Sequence, residues 1–447
     1  MQTLKHHIDR FFLLTENKTD IPTEIRAGLA TFLTASYIIF VQPAVLAQTG
    51  MDFGAVMTAT CLSAALGCLI MGLWANYPIA LAPGMGLNFY FTYTIVLGQG
   101  VAWETALGAV FCSGLVLIIL TVLRVREFIL NLIPDFLKTG IAAGIGLFIA
   151  FIGFVQGGLV VENPATLVKF GNLKSLPVIF TLSGVILIGV LLQKKVKGAI
   201  LIGMLTLTLL GLPFGLVTFQ GVITAPPAIG PTLMKMDILG ALDLGLITVI
   251  LVFVFVDLFD TAGTLVGISQ QAGLLKQGKL PRATRAFLPD AVATTAGAAM
   301  GTSTVVCYIE SSTGVAEGGR TGLTAVVVAG LFLLALFFSP IAQMIGGGIS
   351  VEAGRTLYPI TAPVLIIVGC LMASNLSQIN WKQWDEALPA FLVFVGMPLT
   401  YSIADGMALG FITYPLLKIF SGKIKEVHPI MGLIAILFLL RYVMLAG

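Results

Sequence analysis

From Ala27 to Leu123 the chain has no Lys or Arg and only two acids, Asp52 and Glu104. An ordinary soluble domain needs roughly 25% charged residues to cover its surface. The whole chain falls far short of that: 57% of its 447 residues are hydrophobic and 10% are charged. The Ala27–Leu123 stretch alone is long enough for about four bilayer crossings at roughly 20 residues each. Inside lipid every backbone N–H and C=O must be paired within the protein, so the crossings are helices or the strands of a closed barrel. Continuous apolar runs such as Ile247–Val256 lack the alternation of a barrel strand, so helices are expected.

Polar breaks divide the sequence into fourteen spans: 24–47, 54–75, 77–98, 103–123, 134–156, 176–193, 198–214, 242–268, 286–300, 302–318, 321–345, 357–375, 385–401 and 403–420. A further apolar stretch, 428–446, is open between a re-entrant, an interfacial and an additional helix. With the N-terminus in the cytoplasm, the outer segments hold only Lys169, Lys174, Lys235 and Arg355 of the 24 basic residues. Arg441 lies in the tail, and the other nineteen, among them Arg124, Arg126, Lys276 and Lys279, fall in cytoplasmic segments. A wrong span count would have scrambled this bias.

Several function classes are excluded by the same composition. A net charge of +3 gives no nucleic-acid signal. The five cysteines lie inside apolar segments and are expected to pack as small hydrophobes, with no disulfide framework. His6, His7 and His428 are too scattered for a metal site, and no cofactor is implied. The first twenty residues have no cleavable signal pattern, so the first helix is expected to act as its own insertion signal.

Two spans are broken. The third reads Pro78-Ile-Ala-Leu-Ala-Pro83-Gly-Met-Gly-Leu-Asn88, and the tenth reads Gly301-Thr-Ser-Thr-Val-Val-Cys-Tyr-Ile-Glu310-Ser-Ser-Thr-Gly314. Asn88 and Glu310 are 222 residues apart (310 minus 88), close to half the chain. Paired broken segments at matched positions point to a transporter site where two repeats meet. Seven spans per half is odd, so the halves are expected to be inverted.

Three acids sit well inside apolar spans: Asp257, Asp260 and Glu310. A carboxylate at that depth costs at least roughly 2.5–3.5 kcal/mol, so it usually faces a cavity and functions there. Asp257, Asp260 and Thr261 follow i, i+3, i+4 spacing and share a helix face. Gly263 and Gly267 continue near that face and are expected to admit a neighbouring helix. At Glu310 an extended segment is expected to give way to a half-helix, leaving the N–H groups of Ser311 and Ser312 free. The broken spans contain no Lys or Arg to balance an anion. A neutral solute rich in N–H groups, or a cation, suits the carboxylates better. Such acids can also load and release a proton, with Asp257 and Asp260 titrating as a pair. Phe89, Tyr90, Phe259 and Tyr308 are candidates to stack on a flat ring, although core or lipid packing is the better explanation for any one of them.

Four stretches, Thr31–Pro43, Ala82–Phe91, Val256–Gly267 and Tyr308–Leu323, resemble the AzgA-like purine permeases of the nucleobase–ascorbate transporter superfamily. The resemblance runs over essentially the whole chain. It implies an all-α polytopic fold of two inverted seven-helix repeats, with short strands in the third and tenth spans. It also implies a cytoplasmic segment at 1–23, a core domain at 24–123 and 242–345, and a gate domain at 134–214 and 357–447 including the tail. Members are proton symporters of the inner membrane that often dimerise through the gate domain. By motif position the resemblance assigns substrate binding to Asp257, Glu310 and Asn88, together with Thr261, Tyr308, Ile309 and Ser311. Asp257, Asp260 and Glu310 are implied in proton coupling. Gln42 departs from the Asn that many relatives carry before Pro43.

An ionised carboxylate can accept from both N1–H and the amino group of guanine, whereas adenine presents an acceptor at N1. Two acids in the eighth span resemble the guanine/hypoxanthine type. Adenine, xanthine or uracil carriage by the same fold remains an alternative, and an inorganic anion is disfavoured by the acids. An intramembrane aspartyl hydrolase, which also needs two acids, would be expected to carry a Gly-x-Gly-Asp pattern that does not occur. A channel is the remaining alternative.

Overall fold

The computed structural model describes residues 2–126, 132–275, 280–351 and 355–445. Lys276 and Lys279, two of the basic residues expected in cytoplasmic segments, lie outside the described residues. The first half contains α1 (Gln2–Phe12), α2 (Ile21–Ala35), α3 (Ile38–Leu46), α4 (Phe53–Ile70), β1 (Leu81–Pro83), α5 (Met85–Phe89) and α6 (Trp103–Val122). It continues with α7 (Asp135–Gln156), the hairpin β2–β3 (Val160–Asn163 and Leu167–Phe170), α8 (Leu176–Gln193) and α9 (Ala199–Gly211). The second half contains α10 (Ile238–Ala241), α11 (Leu244–Gln271), α12 (Ala283–Met300), β4 (Val305–Cys307), α13 (Ser311–Ala316), α14 (Gly322–Ala335) and α15 (Ser339–Gly346). After the hairpin β5–β6 (Ile349–Val351 and Arg355–Leu357) come α16 (Ala362–Ala373), α17 (Trp384–Thr400), α18 (Ile403–Phe420) and α19 (Pro429–Leu445).

Every span read from the sequence corresponds to one of these elements or to a contiguous group of them. Among the described residues eight helices are individually long and apolar enough to cross a membrane, and the other spans are shorter or broken. The stretch 428–446 resolves into one helix, α19, packed against α18. In the packing, α2 and α4 lie against α14, α6 lies against α12 and α11, and α7 lies against α16 and α17.

The two broken spans meet. β1 pairs antiparallel with β4, Ala82 facing Val306. The ladder extends through Gly84 N–H to Thr304 O (2.9 Å) and Tyr308 N–H to Ala80 O (3.0 Å). Strands this short, buried at every position, need their outer edges satisfied as well. Cys68 of α4 does this for β1, its thiol accepting from Leu81 N–H (3.1 Å) and facing Leu81 O (3.3 Å). Thr294 of α12 does the same for β4 at Val305 (2.9 and 3.0 Å). Cys68 therefore does more than fill space.

Glycines permit the tightest helix contacts. A Cβ on Gly322 would lie 2.0 Å from the carbonyl oxygen of Gly72, so α14 closes on the end of the α4 span backbone to backbone. Just before it, Glu24 is fully buried and accepts from Arg320 N–H (2.8 Å) and the Thr324 hydroxyl (2.5 Å). A carboxylate from the first helix of one half thus caps α14 of the other.

Gly263 and Gly267 do not do what their spacing predicts. Among the described residues nothing lies within 4 Å of a Cβ at either position, so they face open space and admit no neighbouring helix there.

Candidate functional site

The acids fall into two groups around β4. Glu310 is partly buried in the turn between β4 and α13, where it accepts from the Tyr37 hydroxyl at 2.6 Å. Tyr37 itself is 2% exposed and stands at the break between α2 and α3. Asp260, also partly buried, lies within electrostatic reach of Glu310. These two acids from different spans form the accessible acidic face.

Asp257 lies deeper than that pair. It is fully buried, with Oδ1 3.5 Å from Arg126 Nη2 and Oδ2 3.4 Å from the Thr294 hydroxyl. Arg126 is 1% exposed and binds both oxygens of Asp290 (2.9 and 2.7 Å). The sequence reading therefore needs two corrections. Arg126, counted among the cytoplasmic cations, is buried, because its side chain turns inward from the end of α6 to meet two carboxylates. Asp290, read as part of an ordinary span, is as fully buried as Asp257.

The remaining predicted residues take mixed positions. Asn88 is buried, and its side-chain oxygen accepts from the Ser303 hydroxyl. Gln42 donates to the hydroxyls of Thr302 (2.9 Å) and Ser303 (3.2 Å). The Gln42 side-chain oxygen and the Asn88 side-chain nitrogen are buried without a protein partner. Thr261 accepts from Cys307 N–H (3.4 Å), the Tyr308 hydroxyl donates to Pro83 O (2.5 Å), and the Ser311 hydroxyl accepts from Ala80 N–H (2.9 Å). These three fasten the strand crossing. Ile309 is 55% exposed beside Glu310.

The free N–H groups expected at Ser311 and Ser312 are not free. They donate to Tyr308 O (3.1 Å) and Ile309 O (2.9 Å), because the chain tightens into a turn before α13. Phe89, Tyr90 and Phe259 are buried against Tyr93, Phe253 and Phe255 respectively, and Tyr308 lies against Tyr37. A separate cavity of about 800 Å³ opens beside the two hairpins, lined by Gln48, Tyr93, Gln156, Tyr358 and Tyr401 but not by Asp257, Asp260, Asp290 or Glu310.

The family model described as "Permease family" matches residues 22–409. The guanine/hypoxanthine permease PbuG of Bacillus subtilis is 46% identical, covering 97% of this chain and 99% of its own. The adenine permease AdeP of Escherichia coli is 44% identical, covering 98% of this chain and 96% of its own. The transmembrane domain of the cyanobacterial bicarbonate transporter BicA superposes with a TM-score of 0.62 at 14% identity, covering 87% of this chain and 97% of that one. That last likeness is one of fold.

Proposed function

The chain belongs to the permease family, and from that premise we propose that it imports purine nucleobases, guanine and hypoxanthine first, together with protons. The observation that carries this reading is the acidic face of Asp260 and Glu310 beside the strand crossing, with Arg126 turned away behind β4. Carboxylates with no cation among them suit the N1–H and amino donors of an oxopurine and would repel an anion. The unpartnered amide groups of Gln42 and Asn88 lie one shell deeper and offer an acceptor and a donor.

In this reading Asp257, Asp260 and Glu310 exchange the coupled proton. Residues 24–123 and 242–345 form a core that moves against a gate of 134–214 and 357–447. The protein lies in the cell's inner membrane with its N-terminus inside, and two copies pair through the gate.

Adenine is the second reading, favoured by one observation: Asp257 is held by Arg126, which leaves Asp260 as the one eighth-span acid on the accessible face. Uptake of radiolabelled hypoxanthine into proteoliposomes, with an inward proton gradient and with unlabelled guanine, adenine, xanthine or uracil as competitor, separates the two. Competition by guanine at concentrations where adenine has no effect supports the first reading. Competition by adenine alone would replace it, and uptake indifferent to every base would refute purine carriage.

A further inference from the structure

The ion cluster behind β4 lies deeper than the accessible pair Asp260 and Glu310, and its charges do not balance. Arg126 Nη1 donates to Asp290 Oδ1 and to Phe287 O (3.2 Å), Nη2 donates to Asp290 Oδ2, and the guanidinium lies 4.6 Å from the centre of the Phe287 ring. This two-pronged pairing with Asp290 is the rigid one. The contact to Asp257 is single and long, at 3.5 Å. One further donor, Arg126 Nε, is buried with no partner among the described residues. Two carboxylates therefore face one guanidinium in a pocket where all three side chains are at most 1% exposed. With both acids ionised the pocket holds an uncompensated negative charge, which a water-free interior strongly disfavours.

We propose that Arg126 is a positioning residue for proton coupling, the fixed counter-ion that Asp257 approaches when it gives up its proton and leaves when it takes one. This rests on the reading of the protein as a proton-coupled purine carrier. On loading, one proton from water on the entry side bonds to a carboxylate oxygen of Asp257, and the pocket becomes neutral. On release that O–H bond breaks, the proton passes to water on the exit side, and the carboxylate closes on Nη2 and the unused Nε. Asp290 keeps Arg126 in place throughout. The other ionisable groups in reach of Asp257 are Asp260, one helical turn along α11, and the Cys307 thiol of β4. Thr294 links the event to the substrate side. Its hydroxyl lies beside Asp257 and also satisfies Val305, at the start of the strand that leads to Tyr308 and Glu310.

The test compares wild type, Arg126→Lys and the charge-neutral double variant Arg126→Gln/Asp290→Asn. Hypoxanthine binding is measured on purified protein, and hypoxanthine uptake into proteoliposomes is measured from acid to alkaline pH. The double variant removes one charge of each sign, and it is expected to bind hypoxanthine but lose about tenfold or more of its stimulation by a proton gradient. Arg126→Lys keeps the charge but not the fork, and its pH profile is expected to move by about one unit with part of the stimulation kept. A double variant with the wild-type pH profile and stimulation would overturn the proposal. If the double variant does not fold, an unmoved profile in Arg126→Lys overturns it instead. Failure of wild type itself to bind or carry hypoxanthine would sink the guanine/hypoxanthine reading, a result distinct from either of these.

Discussion

Leu81 and Val305 hold matching places in the two crossing strands, since Ala82 faces Val306 and positions 224 residues apart (306 minus 82) correspond. Each has its outer edge satisfied by one side chain from the neighbouring helix, a thiol at Cys68 and a hydroxyl at Thr294. The scaffolds are alike, but the chemistry is not. Glu310 corresponds to Gly86, where a Cβ would already lie 2.5 Å from Ile145 of α7. Asp260 corresponds to Ser36. Thr261, which accepts from Cys307 N–H, corresponds to Tyr37, whose opposite number in the strand is Pro83 with no N–H to offer. Relieved of that duty, Tyr37 reaches across to Glu310. One repeat thus supplies neutral support and close packing, and the other supplies the acids. A core drawn from both halves needs them similar enough to cross in one scaffold and different enough to hold an asymmetric solute.

The widest expected break comes from removing the charge that distinguishes the halves. Glu310→Gln keeps the shape and one acceptor but cannot exchange a proton at that site, and Asp257→Asn fails in the same way. Both are expected to abolish proton-driven hypoxanthine uptake in proteoliposomes while inserting normally into the membrane, as read by expression and size-exclusion profile. Wild-type uptake by either variant would mean that the acids of the second repeat are scaffold, as in the first.

Next in size is a packing contrast. Gly322→Ala places a Cβ against the backbone of Gly72, which has no side chain to move aside. The helices must separate, at about 1–3 kcal/mol and with a lowered unfolding temperature in detergent. Gly263→Ala meets nothing within 4 Å and is expected to change stability by less than about 0.5 kcal/mol. Equal effects from the two would show that α11 packs more closely than the structure places it.

This contrast also marks where the sequence was legible. The apolar helical stretches and the two breaks could be read, because lipid imposes them on composition. Gly263 and Gly267 were misjudged because spacing gives a helix face and not what stands opposite it. Asp290 sits in a stretch with Thr284, Arg285 and Thr294, too polar to stand out as a buried acid. Its partner Arg126 is 164 residues away, beside the loop-forming Arg124. No local pattern separates an arginine that returns to water from one that turns inward. Glu310 was legible as a site, but the state of the Ser311 and Ser312 N–H groups was not, because it depends on how tightly the turn winds.

A smaller effect is expected at the strand edges. Thr294→Val leaves Val305 N–H without its acceptor in a buried ladder, which costs about 1–3 kcal/mol. Cys68→Ala removes the equivalent partner of Leu81 but a weaker one, since sulfur accepts poorly, and about 1 kcal/mol or less is expected. Hydrogen exchange at Val305 and Leu81 reads each edge directly. If Cys68→Ala cost the more, the thiol would be the principal clasp and the likeness between the two edges would be only apparent.

The finest probe is Gln42→Asn. Gln42 spans from α3 to Thr302 and Ser303, and Ser303 in turn meets Asn88, so this amide joins the first span to the approach of β4, which Ser303 ties to the third span. An Asn is one methylene shorter and cannot hold both hydroxyls from the same backbone position. About 1 kcal/mol of support is expected to go, which is about a fivefold loss of hypoxanthine affinity if the free Gln42 oxygen and Asn88 nitrogen belong to the site. Affinity unchanged with a lowered unfolding temperature would place these amides in the scaffold, and the solute would then be held by the acids of the second repeat alone.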